Sequence, residues 1–204
     1  MIKAVLLDMY GVIVRQTGDD FVPYVQKTFP ALRAHEINTP WFKADAGEIS
    51  SLDVWRILGF TGDLEAVERT YLETLELMEG VTGFLQAVHG TYKTAIISND
   101  SSRWSRYVRR KFDLDRHFDA VSISGDLKIR KPDERIFRLT LEKLGVPAGE
   151  CLYVDDRERN LYAAEKLGMQ TVQFGSAGAF EGARVESFAE LEAWMAGNQR
   201  LTAR

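Results

Sequence analysis

Five short runs of apolar, largely β-branched residues punctuate the chain: Ile2 to Leu7, Thr94 to Ser98, Ala120 to Ser124, Cys151 to Val154 and Thr171 to Phe174. Near-continuous hydrophobicity suits strands buried on both faces, as in a parallel sheet. Between the later runs the apolar spacing turns helical. Trp104, Tyr107, Val108, Lys111 and Phe112 form one such set. Ile136, Phe137, Thr140, Leu141 and Leu144 form another, opened near Pro132 and closed by Gly145. Leu161, Ala164 and Leu167 form a third, closed by Gly168. Strands alternating with helices predict an α/β, doubly wound, mostly parallel sheet.

The first interval breaks this rhythm. Residues 15–79 show no clear strand but carry helical spacings at Phe21, Val22, Val25 and Phe29, at Leu52, Trp55 and Leu58, and at Leu64, Val67, Tyr71 and Leu75. The stretch exceeds a simple crossover and suffices for a small helical bundle. The expected organisation is a core of residues 1–14 and 80–204 with a helical insert at 15–79. The aromatic positions Trp41, Phe42, Trp55 and Phe60 either line a pocket or fill the insert's own core. Residues 198–204 are polar and expected to fray.

Composition narrows the class. A chain of 204 residues suits one domain with an insertion, and 45% hydrophobic with 27% charged residues excludes a disordered or disulfide-stapled protein. A net charge of −4 lacks the basic footprint of a nucleic-acid binder. No run approaches the ~18 apolar residues of a membrane span, and Ala4 to Leu7 is too short for a signal-peptide core. Cys151 is the single cysteine, so an internal disulfide is excluded and a reducing, cytoplasmic setting is expected. His35, His89 and His117 show no metal-ligand spacing.

The chemistry lies where the strands end, because ligands of parallel sheets gather there. The first run ends in Asp8, the second in Ser98-Asn99-Asp100 and the fourth in Asp155-Asp156. Lys131-Pro132 follows the third. Asp8, Asp155 and Asp156 offer hard oxygen ligands for Mg²⁺. The Ser98 hydroxyl and the Asn99 N–H suit phosphate oxygens, and Lys131 supplies a point cation.

In this order the residues resemble the haloacid dehalogenase-like hydrolases, the aspartate-nucleophile superfamily. Asp8-Met9-Tyr10-Gly11-Val12-Ile13 matches the first motif, Ser98-Asn99 the second and Lys131-Pro132-Asp133 the third. Val154-Asp155-Asp156 with Asn160 matches the fourth. The resemblance implies a Rossmann-like core with a helical cap and a Mg²⁺-dependent phosphohydrolase. Asp8 would form an aspartyl-phosphate. Asp8, the Tyr10 carbonyl, Asp155 and Asp156 would hold the metal, and Gly11, Ser98, Asn99 and Lys131 would hold the phosphoryl group. Tyr10, Ser98 and Lys131 would assist catalysis. The implied substrate is a small phosphorylated metabolite, with no nucleic-acid or membrane partner, acting as monomer or homodimer.

Tyr10 departs from the pattern. Phosphatases of the family commonly carry there a second aspartate that protonates the leaving group and activates water. Tyrosine, with a pKa of about 10, donates a proton but is a poor base at neutral pH. Family dehalogenases also show Asp-x-Tyr-Gly, yet resemble Asp-x-Tyr-Gly-Thr and lack paired acids at the fourth motif, whereas this chain has Val12 and Asp155-Asp156. The alternatives to a phosphohydrolase are therefore a 2-haloacid dehalogenase and a weakly active or non-catalytic phosphate-binding module. Arg15, Trp41, Lys43, Glu48, Trp55 and Tyr71 are the substrate-contact candidates of the insert. Arg103, Arg106, Arg109, Arg110 and Lys111 read as a solvated basic helix face. Arg130 either adds charge near the phosphate or lies on the surface.

Overall fold

The computed structural model describes residues 1–15, 20–175 and 180–202. Every predicted run forms a strand: β1 (Ala4–Leu7), β2 (Lys93–Ser98), β3 (Ala120–Ile123), β4 (Cys151–Asp155) and β5 (Gln170–Phe174). A sixth, β6 (Ala183–Val185), escapes the pattern because it has three residues and an exposed Arg184 at its centre. The sheet is parallel throughout, in the order β3-β2-β1-β4-β5-β6. The chain winds outward from β1 through β2 and β3, then crosses back to β4 on the other side of β1. A crevice opens at the carboxyl ends of β1 and β4, where the winding reverses.

Helices cover both faces: α5 (Val81–Val88), α6 (Ser102–Lys111), α7 (Ser124–Leu127), α8 (Glu134–Leu144), α9 (Glu158–Glu165) and α10 (Phe188–Thr202). Alternation along β1 explains why. Val5 and Leu7 join one apolar cluster, and Ala4 and Leu6 join the other. The caps are local. Ser101 accepts from the Trp104 N–H to start α6, and Asp133, one residue beyond Pro132, accepts from the Arg135 N–H to start α8. Gly145 closes α8 at φ +65°, a left-handed conformation that glycine adopts without a steric cost. Helix α10 packs Phe188 against Phe84 and Phe174 and continues through Thr202. The expected fraying at 198 is thus replaced by helix as far as 202, and 203–204 lie outside the described residues.

Between β1 and β2 come α1 (Phe21–Gln26), α2 (Ala34–Asp45), α3 (Ser51–Ile57) and α4 (Leu64–Glu73). The apolar spacings above locate α1, α3 and α4. Helix α2 they miss, since Pro40 stands in its interior, where it removes one backbone donor. The two connections to the insert run side by side: the Arg15 N–H donates to the Glu76 carbonyl at 2.9 Å, and the Met78 N–H to the Ile13 carbonyl at 2.9 Å. Phe21 sits at the centre of the aromatic packing, 5.2–5.4 Å from the rings of Trp41, Trp55, Tyr71 and Trp104. Trp104 belongs to α6, so the insert's apolar cluster is continuous with that of the sheet. Each fully buried aliphatic or phenyl side chain here contributes on the order of 1.5–3 kcal/mol.

Basic residues of α6 do more than meet solvent. Lys111 Nζ donates to the carbonyls of Leu72, Glu73 and Leu75 at 2.8–3.1 Å, and Arg103 pairs with the buried Glu68, which also accepts from the indoles of Trp55 and Trp104. The insert is therefore tied to α6 by polar contacts as well as by aromatic rings.

Candidate active site

Register brings the acids together. Leu7 of β1 pairs with Val154 of β4, so the next residue of each strand, Asp8 and Asp155, emerges at the same level of the crevice. The Asp8 N–H still donates to the Val154 carbonyl at 2.9 Å. Lys131 Nζ lies between them, 2.8 Å from Asp8 Oδ1 and 2.8 Å from Asp155 Oδ2, with its side chain 1% exposed. Carboxylate oxygens of Asp8, Asp155 and Asp156 all fall within 4.8 Å of one another.

The two adjacent acids have different surroundings. Asp155 accepts hydrogen bonds from Lys131 Nζ, the Tyr153 hydroxyl, Asn160 Nδ2 and the Arg157 N–H. Tyr153 reaches it because residues two apart in a strand share a face. Asp156 Oδ1, by contrast, is buried with no partner. Gly11 makes room for this carboxyl. A Cβ there would stand 2.9 Å from Asp156 Cγ and Oδ2, and its φ of +84° already disfavours other residues.

Electrostatics follow the same division. Burial pushes the Asp8 carboxyl well above its ordinary range, against the pull of Lys131, and Asp155 and Asp156 push it further. Burial also raises Asp156, to about 6, with Asp155 adding to the effect. For Asp155 the burial penalty is outweighed by Lys131 and the hydrogen bonds, and its pKa is lowered. Three carboxylates against one buried ammonium leave two negative charges. That is the deficit one divalent cation fills, with Arg157 at the rim 3.9 Å from Asp156 Oδ2. The donor set and the partnerless Asp156 oxygen fit a hard metal ion.

The remaining motif residues converge on the same place. Asp8, Tyr10, Asn99 and Lys131 line one cleft. Ser98 Oγ is buried without a partner at the end of β2. The Asn99 side chain donates to the Lys131 carbonyl at 3.0 Å and accepts from the Lys131 N–H at 2.7 Å, which fixes the loop carrying the lysine. The Tyr10 hydroxyl donates to Asp100 Oδ2 at 3.2 Å. Burial pushes the pKa of that phenol well above 10, and Asp100 raises it further.

Of the insert's candidates, only Trp41 lines this cleft. Trp55 is fully buried against Phe60 and Tyr71, and Tyr71 packs against Phe21, so both serve the insert's own core. Arg15 pairs with Glu76 on the surface, and neither Lys43 nor Glu48 borders the cleft. Arg130 does border it. Sequence reasoning missed Asn38, Asp45, Arg157 and Arg159, which complete the lining, and Tyr153, which supports Asp155. A helical spacing of 38, 41, 42 and 45 was the available signal, masked by Pro40.

A family model for haloacid dehalogenase-like hydrolases matches residues 2–168. The chain belongs to that family. Among curated relatives of this chain, a drimenol cyclase of Aspergillus calidoustus is 28% identical over 183 residues, covering 85% of this chain and 34% of that protein. An (S)-2-haloacid dehalogenase of Burkholderia cepacia is 34% identical over 43% of this chain and 38% of its own length. A phosphorylated carbohydrates phosphatase of Thermotoga maritima is 28% identical over 53% and 50%. The chain thus spans between about a third and a half of the length of these relatives. Its fold matches a family enzyme of Bacteroides thetaiotaomicron, a mutant solved with magnesium and inorganic phosphate, at a TM-score of 0.74 and 18% identity over 89% of this chain and 98% of that one. No helix among the described residues is long and apolar enough to cross a membrane.

Proposed function

We propose that this hydrolase is a Mg²⁺-dependent phosphohydrolase of a small phosphorylated metabolite that works through an aspartyl-phosphate on Asp8. The carrying observation is the division of labour in the acid pair: Asp155 is saturated by protein donors, while Asp156 keeps a buried oxygen without one. Asp8, the Tyr10 carbonyl and Asp156 would hold the metal, with Asp155 orienting Lys131 beside it. When bound, Mg²⁺ supplies Lewis-acid polarisation of the phosphoryl oxygens and offsets the carboxylate charge.

An Asp8 carboxylate oxygen attacks phosphorus as the ester P–O bond breaks, so that one difficult displacement becomes two easier ones. Lys131 and Ser98 donate to the equatorial oxygens, where most of the catalytic stabilisation arises, whereas Gly11, expected to share that role, gives its N–H to the Val14 carbonyl at 2.8 Å and serves by making room for Asp156. The Tyr10 phenol would supply a proton to the departing oxygen by turning its O–H away from Asp100, which now accepts it at 3.2 Å. Water then cleaves the acyl-phosphate, with no efficient base at position 10 to activate it. Residues 15–79 act as a cap joined to the core through the hydrogen-bonded connections 13–15 and 76–78, excluding water from the cleft. A cytoplasmic location and a reducing setting accord with Cys151, buried in β4 with its thiol pushed up to about 12 by burial.

The test is turnover of an aryl phosphate with and without Mg²⁺. Hydrolysis stopped by chelation and abolished by Asp8→Asn, with the fold retained, is the expected result. Tyr10 favours a second reading, because the Asp-x-Tyr-Gly pattern is shared with dehalogenases. Chelator-insensitive halide release from 2-chloropropionate would install that reading instead. Phosphate binding with neither reaction would leave a binding module.

A further inference from the structure

The cleft over Asp8 has a second wall that the phosphoryl chemistry leaves unused. Asn38, Trp41, Phe42 and Asp45 lie on one face of α2, at the i, i+3, i+4, i+7 spacing of a helical stripe, and all four border the cleft. The Asp45 side chain is 3% exposed. Its Oδ2 accepts from Arg130 Nη2 at 3.3 Å, while its Oδ1 is buried with no partner. Arg130 Nε and Asn38 Oδ1 are buried and partnerless as well. Eight such side-chain atoms occur among the described residues, and three of them sit on this one wall. Leaving buried polar atoms unpaired is costly, so their clustering around a cavity marks a place where a ligand completes the bonding.

The chemistry of the trio selects the ligand group. Asp45 and Arg130 are neutral as a pair. An ammonium drawn to Asp45 would meet the guanidinium, and a carboxylate drawn to Arg130 would meet Asp45. A hydroxyl satisfies both sides, donating to Asp45 Oδ1 or Asn38 Oδ1 and accepting from Arg130 Nε. The Trp41 indole and the Phe42 ring, over which the Arg130 guanidinium stacks at 4.7 Å, offer apolar surface to a C–H backbone. The cleft offers about 60 Å³ beside these side chains, room for the hydroxylated carbons next to a phosphoryl group.

We infer that Asn38, Asp45 and Arg130 form a hydroxyl-reading subsite through which this hydrolase prefers phosphate monoesters of short hydroxylated carbon chains to their deoxy counterparts. The inference takes the phosphoryl half of the ligand from the phosphohydrolase reading above, but it concerns binding and does not need turnover.

The experiment compares the affinities of glycerol 1-phosphate and propyl phosphate by calorimetry, with Mg²⁺ present, in Asp8→Asn protein that cannot turn them over. Glycerol 1-phosphate should bind at least about tenfold tighter, since a site built for a hydroxyl rejects the analogue lacking it. Adding Asp45→Ala should bring the two affinities to within about threefold, as should Asn38→Ala, which removes an Oδ1 that accepts from no protein donor and so costs the fold little. Equal affinities, binding of neither probe, or a preference that survives both variants would overturn the subsite. A preference that stands while the wild type hydrolyses no phosphate would instead sink the phosphohydrolase reading alone. Chelator-sensitive hydrolysis with equal affinities would sink the subsite alone.

Discussion

The ammonium of Lys131 stands 2.8 Å from Asp8 Oδ1 in a pocket where both side chains are more than nine-tenths buried. Neither charge has bulk water to fall back on. Lys131→Met leaves Asp8 and Asp155 facing each other without their cation, and removing one member of a buried ion pair typically costs ~3–5 kcal/mol. The expected result is a urea midpoint lowered accordingly in the metal-free protein. An unchanged midpoint would mean that the carboxylates were already protonated.

Asp155 and Asp156 should fail in opposite ways. Asp155→Asn disrupts a carboxylate with four donors and should destabilise the fold by about 2–4 kcal/mol. Asp156→Asn removes charge from a group with a partnerless oxygen, so it should leave urea stability near the wild type while weakening Mg²⁺ binding at least tenfold (~1.4 kcal/mol). Calorimetric titration with Mg²⁺ and urea unfolding separate the two. Equal loss of metal affinity in both variants would assign both acids to the metal.

With Tyr10 in the position of the second acid, hydrolysis of the aspartyl-phosphate is expected to limit turnover. Rapid mixing with an aryl phosphate should then show a burst of phenol near one equivalent per site before a slower steady state. Tyr10→Asp should abolish the burst and raise the steady rate at least about tenfold, within the ~10²–10⁴ that acid–base assistance typically supplies. A linear trace in the unaltered protein would place the slow step earlier.

Asp45 makes stability depend on pH. Burial pushes its pKa up to about 7, against the opposing charge of Arg130. An acid whose folded pKa is raised binds its proton more tightly in the native state. Its contribution is complete below the ordinary carboxylate value of about 4 and is lost as pH rises through about 7. Asp45→Asn should therefore be closer to, or above, the wild type in stability at pH 8 than at pH 4, by about 1–3 kcal/mol. Urea unfolding in chelator at the two values reads the difference. A gap that stays constant with pH would show that Asp45 does not titrate in this window.

Much of the fold was legible because burial on both faces of a parallel sheet leaves a one-dimensional trace, as Ala4 to Leu7 and Cys151 to Val154 show. The acids followed from that trace, since Asp8 and Asp155 simply terminate those runs. Helix α2 left no comparable trace: Pro40 interrupts its periodicity, and its cleft-facing positions are a mixture of Asn38, Trp41, Phe42 and Asp45 that no apolar rule joins. For Trp55 the two readings were indistinguishable until its neighbours were known.

From its own sequence the chain determines which residue types stand at the ends of its strands, and so the charge and donor set of the site, because alternation and hydrophobic runs are local properties. Only the tertiary structure decided that Asp155 spends its oxygens on Lys131, Tyr153 and Asn160 while Asp156 does not, and that Asp45 meets Arg130 across the cleft. Those outcomes depend on sheet order and on how the insert packs over α6. Contacts between residues tens of positions apart are set by packing, and linear spacing carries no record of them.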